Sequence, residues 1–278
     1  MPGTGVSPRA EKLRNQTSVL LIGAGRMGSA LLKGWRNNGV KSIIVVEPNP
    51  SADIKALARA KAIALVDTPS QVSGNFDACI VAIKPQVLKG EAVALAEIAK
   101  TSLMISIAAG TSIAVLRKAW GPKARIVRAM PNTPGAIGRG ITGLTAAKGV
   151  STSDKKTADT LLAALGQTLW VKSEAQIDSV TALSGSGPAY VFHLVEAMTQ
   201  AGIAIGLSNP DSEKLARATV AGAGALLDAD KAAAADLRVA VTSPGGTTEA
   251  ALRVLMPELP KLMTRALKAA KKRAQELR

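Results

Sequence analysis

The sequence predicts an α/β protein: a Rossmann-type parallel sheet with helices on both faces, followed by an all-helical domain. Two observations predict it. Up to about Lys172, short β-rich apolar runs alternate with helical stretches, the pattern of βαβ units; beyond it the strand signal stops, and Ala, Leu and Val recur at helical spacing. The divisions read from this pattern are a loose leader over 1–16, an α/β domain over 17–172 and a helical domain over 173–278.

In order, "SVLLI" reads as a strand, "SALLKGWRNNG" as a helix, "SIIVVE" as a strand, "IKALARAKA" as a helix, "ACIVAI" as a strand, "KGEAVALAEIAK" as a helix and "LMISIAAG" as a strand. "ARIVRAMPNTP", "GLTAAKG" and "LGQTLWVKS" add strands, with the helix "KKTADTLLAAL" between the last two. The helical part is expected to break at "SGSGP", "GLSNP", "SPGG" and "MPELP", where Gly and Pro punctuate it. Small residues along "LARATVAGAGALL" fit either a bundle core or a subunit interface.

Composition narrows the function classes. No apolar run reaches the ~18 residues that span a bilayer, and "MPGTGVSPRAEKLRNQ" has no signal-peptide core, so a cytoplasmic protein is expected. Cys79 is the only cysteine, which excludes an intrachain disulfide, and its apolar setting marks it as a buried filler. The net charge of +15 invites a nucleic-acid reading. Against it, the basic residues from Pro257 on are spread along an amphipathic pattern, and aromatic residues, which would stack bases, are 2% of the chain. Neither nucleic acid nor membrane is expected as a partner, and no metal site.

"GAGRMG" places Gly23, Gly25 and Gly28, with Arg26 and Met27 between them, after a strand and at the opening of a helix. Glu47 ends the next strand, 19 residues past Gly28. That context makes the glycines a dinucleotide fingerprint: a tight turn, close approach to a pyrophosphate, and close helix–sheet packing, with the anion on the helix N-terminus. Glu47 would accept hydrogen bonds from the adenosine ribose, which points to NAD, although Arg26 and Lys55 could tolerate a 2′-phosphate. "AIKP", Ala82, Ile83, Lys84 and Pro85, also ends a strand and so falls beside the cofactor crevice. "AMPNTP", with Asn132 and Thr133, reads as a rigid turn at another strand end.

A dinucleotide site implies hydride transfer, and carbonyl reductions want a general acid. The chain has one His and one Tyr, His193 and Tyr190, three apart on one helical face. That poor inventory favours an imine, which arrives carrying its own proton and needs only to be positioned. "VTSPGGTT" supplies a grip: Gly246, Thr247 and Thr248 would lie at a helix N-terminus suited to a carboxylate, with the Ser243 and Thr248 hydroxyls adding bonds. In "ALSGSGPAY", Ser184 and Ser186 again lead into a helix.

These motifs, in order "IGAGRMG", "AIKP", "SIAAG", "RAMPNTP", "TALSGSGPAYVF", "EAMTQAGIAIGL" and "VTSPGGTT", resemble the Δ1-pyrroline-5-carboxylate reductases from about Val19 to Leu255. The resemblance implies a Rossmann domain, a helical domain that interlocks with its partner in a homodimer or larger assembly, and reduction of a cyclic imino acid to L-proline by NADPH or NADH. It further implies a substrate site at the subunit interface. There Ser243, Gly246, Thr247 and Thr248 would hold the substrate carboxylate, Thr248 would also approach the ring nitrogen, and "AIKP" would line the nicotinamide end. Ala240, Gln200 and Ala218 depart from the family's frequent Asn, Asp and Gln. Two other readings are a related imine or hydroxyacid dehydrogenase, which would want a catalytic lysine after the domain junction, and a non-catalytic NAD-binding protein.

Overall fold

A computed structural model describes residues 17–91 and 93–277; the expected leader over 1–16 lies outside the described residues. The described chain falls into two compact units, one up to Gly185 together with the residues from Lys271 on, the other Ser186–Ala270.

The first unit is an eight-stranded sheet in the order β3-β2-β1-β4-β5-β6-β7-β8. Its strands are β1 (Ser18–Ile22), β2 (Ser42–Val46), β3 (Ala64–Val66), β4 (Ala78–Val81), β5 (Leu103–Ser106), β6 (Ile126–Met130), β7 (Gly140–Ala146) and β8 (Gly166–Trp170). Its helices are α1 (Arg26–Asn37), α2 (Ala52–Arg59), α3 (Pro85–Glu91), α4 (Ala96–Ala99), α5 (Ile113–Trp120), α6 (Thr152–Leu162) and α7 (Glu174–Val180). The central strands are buried on both sides, so their alternating side chains feed two cores. Val19 and Leu21 of β1 join Leu31, Trp35 and Leu161 on one face; Leu20 and Ile22 join Leu88, Leu116 and Trp120 on the other. The indole N–H of Trp35 donates to the Leu161 carbonyl (2.7 Å), tying α1 to α6.

Three features differ from the sequence pattern. β7 runs antiparallel to β6, because only the short Thr133–Ile137 turn joins them and a parallel return needs a crossover of about a dozen residues. Asn132 sets that reversal by accepting the Ile141 N–H (3.0 Å). The stretch "KGEAVALAEIAK" is not one helix but α3, a 3₁₀ turn at Val93–Leu95 and α4. β3 and α5 form where no element was read; Ser112 caps α5 by accepting the Val115 N–H (3.3 Å).

The second unit contains α8 (Gly187–Ala204), α9 (Asn209–Ala229), α10 (Ala234–Ala240) and most of α11 (Thr247–Glu276). α8 and α9 approach closely: a Cβ on Gly202 would sit 2.8 Å from the Ser212 hydroxyl. "MPELP" does not break the chain as expected, since Pro257 and Pro260 lie inside the continuous 30-residue α11. Each proline lacks the N–H that would reach four residues back. Spaced three apart, the two fall on one side of the helix, so the losses share a face and the other side continues unbroken. No described helix is long and apolar enough to cross a membrane.

Candidate active site

Chain order fixes where a ligand can sit. β1, β2 and β3 step outward in one direction, then the chain returns to place β4 on the other side of β1. Strand order therefore switches between β1 and β4, the point at whose carboxyl ends open α/β sheets bind their ligands. The glycine loop leaves β1 at that point.

Its three glycines have three different surroundings. Gly23 has φ +92°, and a Cβ there would sit 2.6 Å from Ile83 Cγ2. At Gly28 a Cβ would collide with the Gly23 carbonyl oxygen. Gly25 is extended (φ −64°, ψ −166°), caps α1 with no side chain, and a Cβ there would meet nothing within 4 Å. Protein thus fills the space around the first and third glycines and leaves it open at the second, beside an α1 N-terminus whose first turn carries no acidic residue. An unobstructed backbone at a helix start suits a pyrophosphate. Among the bonds that hold the loop, the Gly23 N–H donates to the Val46 carbonyl (2.9 Å) and the Ser29 hydroxyl to the Ala24 carbonyl (2.6 Å).

Glu47 is placed just beyond β2 and its carboxylate is engaged on both oxygens. Oε2 accepts the Ala24 N–H (2.8 Å) and Oε1 the Asn49 N–H (3.0 Å). Across the switch point, the Ala82 N–H donates to the Ile22 carbonyl (2.8 Å), Ile83 lies against Gly23, Lys84 is exposed and Pro85 starts α3. The fold therefore gathers Gly23, Gly25, Arg26, Met27, Gly28, Glu47, Ala82, Ile83, Lys84 and Pro85 at one end of three adjacent strands.

Ser184 lies in the wide π-helical turn Thr181–Gly185 that follows α7, and its hydroxyl donates to the Val180 carbonyl (3.0 Å). This turn sits at the carboxyl end of β6, where a Cβ on Gly185 would be 2.8 Å from Met130 Cε. Beneath it is an ion pair absent from the sequence reading. Arg128, a charged side chain in a buried strand, donates to Glu174 (2.8 Å), which also accepts the Ile113 N–H at the start of α5 (2.7 Å). A cation inside "RIVRAM" was the available signal, because a buried charge requires a partner.

Ser243, Gly246, Thr247 and Thr248 belong to the second unit, in the turn between α10 and α11. Gly245 takes the left-handed conformation (φ +71°), which Gly adopts without strain. The Thr242 hydroxyl donates to the Arg238 carbonyl (2.6 Å) and the Gly246 N–H to the Ser243 carbonyl (3.0 Å). That second bond takes Gly246's donor; the N–H groups of Thr247, Thr248 and Glu249 follow in the first turn of α11. Glu249 accepts from Arg253 (2.7 Å) and from the Gly245 N–H; these two bonds, the Arg253 bond first, hold its carboxyl below the usual range.

His193 is exposed on α8, with Nδ1 2.8 Å from a Glu196 oxygen. Cys79 is fully buried, and burial raises its thiol pKa far above the reactive range.

Comparison with known proteins follows these two regions. Residues 174–277 match a family model described as pyrroline-5-carboxylate reductase dimerisation, and 18–110 match one described as NADP oxidoreductase, coenzyme F420-dependent. The chain is 40% identical to the pyrroline-5-carboxylate reductase of Pseudomonas aeruginosa, over 93% of this chain and 96% of that one. Its identity to that of Mycobacterium leprae is 36%, over 96% and 98%. Among solved structures, a pyrroline-5-carboxylate reductase from Coxiella burnetii superposes with a TM-score of 0.88 at 37% identity, covering 95% of this chain and 99% of that one. The Plasmodium falciparum pyrroline carboxylate reductase with NADP bound gives 0.78 at 26%, covering 94% and 98%.

Proposed function

The chain belongs to the pyrroline-5-carboxylate reductase family, and from that membership and the two loops described above we propose that it reduces 1-pyrroline-5-carboxylate to L-proline with NAD(P)H, the last step of proline biosynthesis, in the cytoplasm. The observation that carries this reading is the glycine turn, closed by protein at Gly23 and Gly28 and open at Gly25.

The bound coenzyme supplies the hydride that reduces C5 of the imine. The protein holds and orients. Gly23 to Gly28 present the α1 N-terminus to the coenzyme phosphates, Glu47 takes the adenosine ribose, and Ala82 to Pro85 line the nicotinamide end. The substrate carboxylate is held by the Thr247 and Thr248 N–H groups, with the Ser243 hydroxyl adding a donor; the Ser184 hydroxyl spends its hydrogen on the Val180 carbonyl. Gly246 contributes the turn that aims them, its own N–H being taken by Ser243. Charge-assisted bonds of this kind contribute roughly 1.5 to 3 kcal/mol each, so a few suffice to fix a small imino acid. Thr248 also approaches the ring nitrogen. Because the imine is protonated before hydride arrives, no side chain has to donate a proton, consistent with a His193 that faces solvent and Glu196.

The segment 173–278 acts as the substrate and dimerisation domain. Its helices leave large apolar side chains exposed, among them Phe192 (64%), Val254 (70%) and Leu255 (50%), and such surfaces are covered by a partner in a stable protein. A homodimer, assembled further or not, answers that need.

The test is oxidation of NADH, and separately NADPH, followed by absorbance on adding pyrroline-5-carboxylate, with His193→Ala measured alongside. Turnover in both proteins is expected. No turnover with either coenzyme overturns the reading.

A further inference from the structure

We propose that Glu47 makes this protein select NADH over NADPH, and that the same carboxylate braces the glycine loop. The proposal deepens the reductase reading and rests on its placement of the coenzyme.

Three strand ends meet at this one residue. Glu47 leaves β2 with its N–H donating to the Val66 carbonyl of β3 (3.0 Å). Its Oε2 reaches across to Ala24, within the glycine turn after β1 (2.8 Å), and its Oε1 accepts from Asn49 in its own turn (3.0 Å). A carboxylate displaced to admit another anion would break both bonds and leave the Ala24 N–H without its acceptor. The carboxylate is therefore held in place. It has about four acceptor positions, two of them used by the backbone, which leaves two for the paired hydroxyls of an unphosphorylated ribose. A 2′-phosphate at the same place would bring like charges together and offer no hydrogen to accept.

The surroundings do not compensate. The start of α2, the next helix after Glu47, is already capped: the Ser51 hydroxyl accepts the Ile54 N–H (3.4 Å), and Asp53 lies in the first turn. Two cations remain, Arg26 at the start of α1 and Lys55 in α2, and both are exposed to solvent, where screening weakens them. The local balance at the ribose end is thus one held and one nearby carboxylate against two solvated cations.

The experiment is equilibrium titration of NADH and of NADPH, each followed by coenzyme fluorescence, into the wild type and Glu47→Gln, without substrate. The amide keeps an acceptor oxygen for one backbone N–H and removes the charge. The wild type should bind NADH about tenfold more tightly than NADPH, the weight of one partly screened like-charge contact. Glu47→Gln should bring that ratio to about one, mainly by tightening NADPH. A wild type that binds both equally, or prefers NADPH, overturns the proposal whether or not the variant folds. An unchanged ratio in a folded Glu47→Gln, with both affinities weakened alike, reduces Glu47 to a loop brace and overturns the selection. Binding of neither coenzyme to the wild type instead removes the coenzyme site on which the proposal stands.

Discussion

Replacing each of two glycines in one turn by alanine should give opposite results. At Gly28 a Cβ would enter the Gly23 carbonyl oxygen, which is backbone and cannot swing aside. Relief requires moving α1 away from β1, and overpacking of this kind costs about 3 kcal/mol. For a unit of this size each kcal/mol lowers Tm by roughly 2 to 4 °C, so Gly28→Ala should melt about 6 to 12 °C lower. At Gly25 the backbone is extended and nothing lies within 4 Å of the added methyl. There the gain from a stiffer unfolded chain, about 0.4 to 1 kcal/mol, is offset by the poorer N-cap, and Tm should hold. The methyl would instead occupy the space through which a pyrophosphate approaches the α1 N-terminus. NADH and NADPH affinity should fall by at least about tenfold, or 1.4 kcal/mol. Thermal melts and coenzyme titration of the two variants check this. A Gly25→Ala protein with wild-type coenzyme affinity, or a Gly28→Ala protein with wild-type Tm, would refute the assignment of packing to one glycine and ligand approach to the other.

Glu174→Ala takes from Arg128, whose side chain is 3% exposed, its ion-pair bond to Glu174 and removes the acceptor at the start of α5; a loss of about 3 kcal/mol is expected, seen as a shift in urea midpoint, with Glu174→Gln intermediate. Equal midpoints in wild type and Glu174→Ala would show the pair to be inert. Thr248→Val should lower kcat/KM for pyrroline-5-carboxylate while coenzyme affinity stays constant; an unchanged kcat/KM takes Thr248 out of the site. Glu249 has a depressed folded-state pKa, so the stability it contributes is present above the unfolded carboxylate pKa and is lost as pH falls through the lower, folded value. The Tm difference between wild type and Glu249→Gln should accordingly shrink as the solution is acidified, and a gap that does not change with pH would argue against that bonding.

Residue spacing revealed the sheet-and-helix order, the glycine turn and the two hydroxyl-rich loops, because each is a local pattern: a period of two or 3.6, or small residues at a helix start. What the spacing could not reveal depends on contacts between distant residues. The direction of β7 follows from the shortness of the link at Thr133–Ile137 and the bond from Ile141 to Asn132, neither of which alters an apolar alternation. Pro257 and Pro260 read as a stop, yet α11 continues past both, since a long helix can lose bonds on one side and keep those on the other. Glu47 illustrates the limit best. Its place at the end of β2 was visible in the sequence, and with it the tie to a ribose. That the Ala24 and Asn49 N–H groups already hold its two oxygens was not, and those bonds are what turn an acid near a ribose into one that cannot make way for a phosphate.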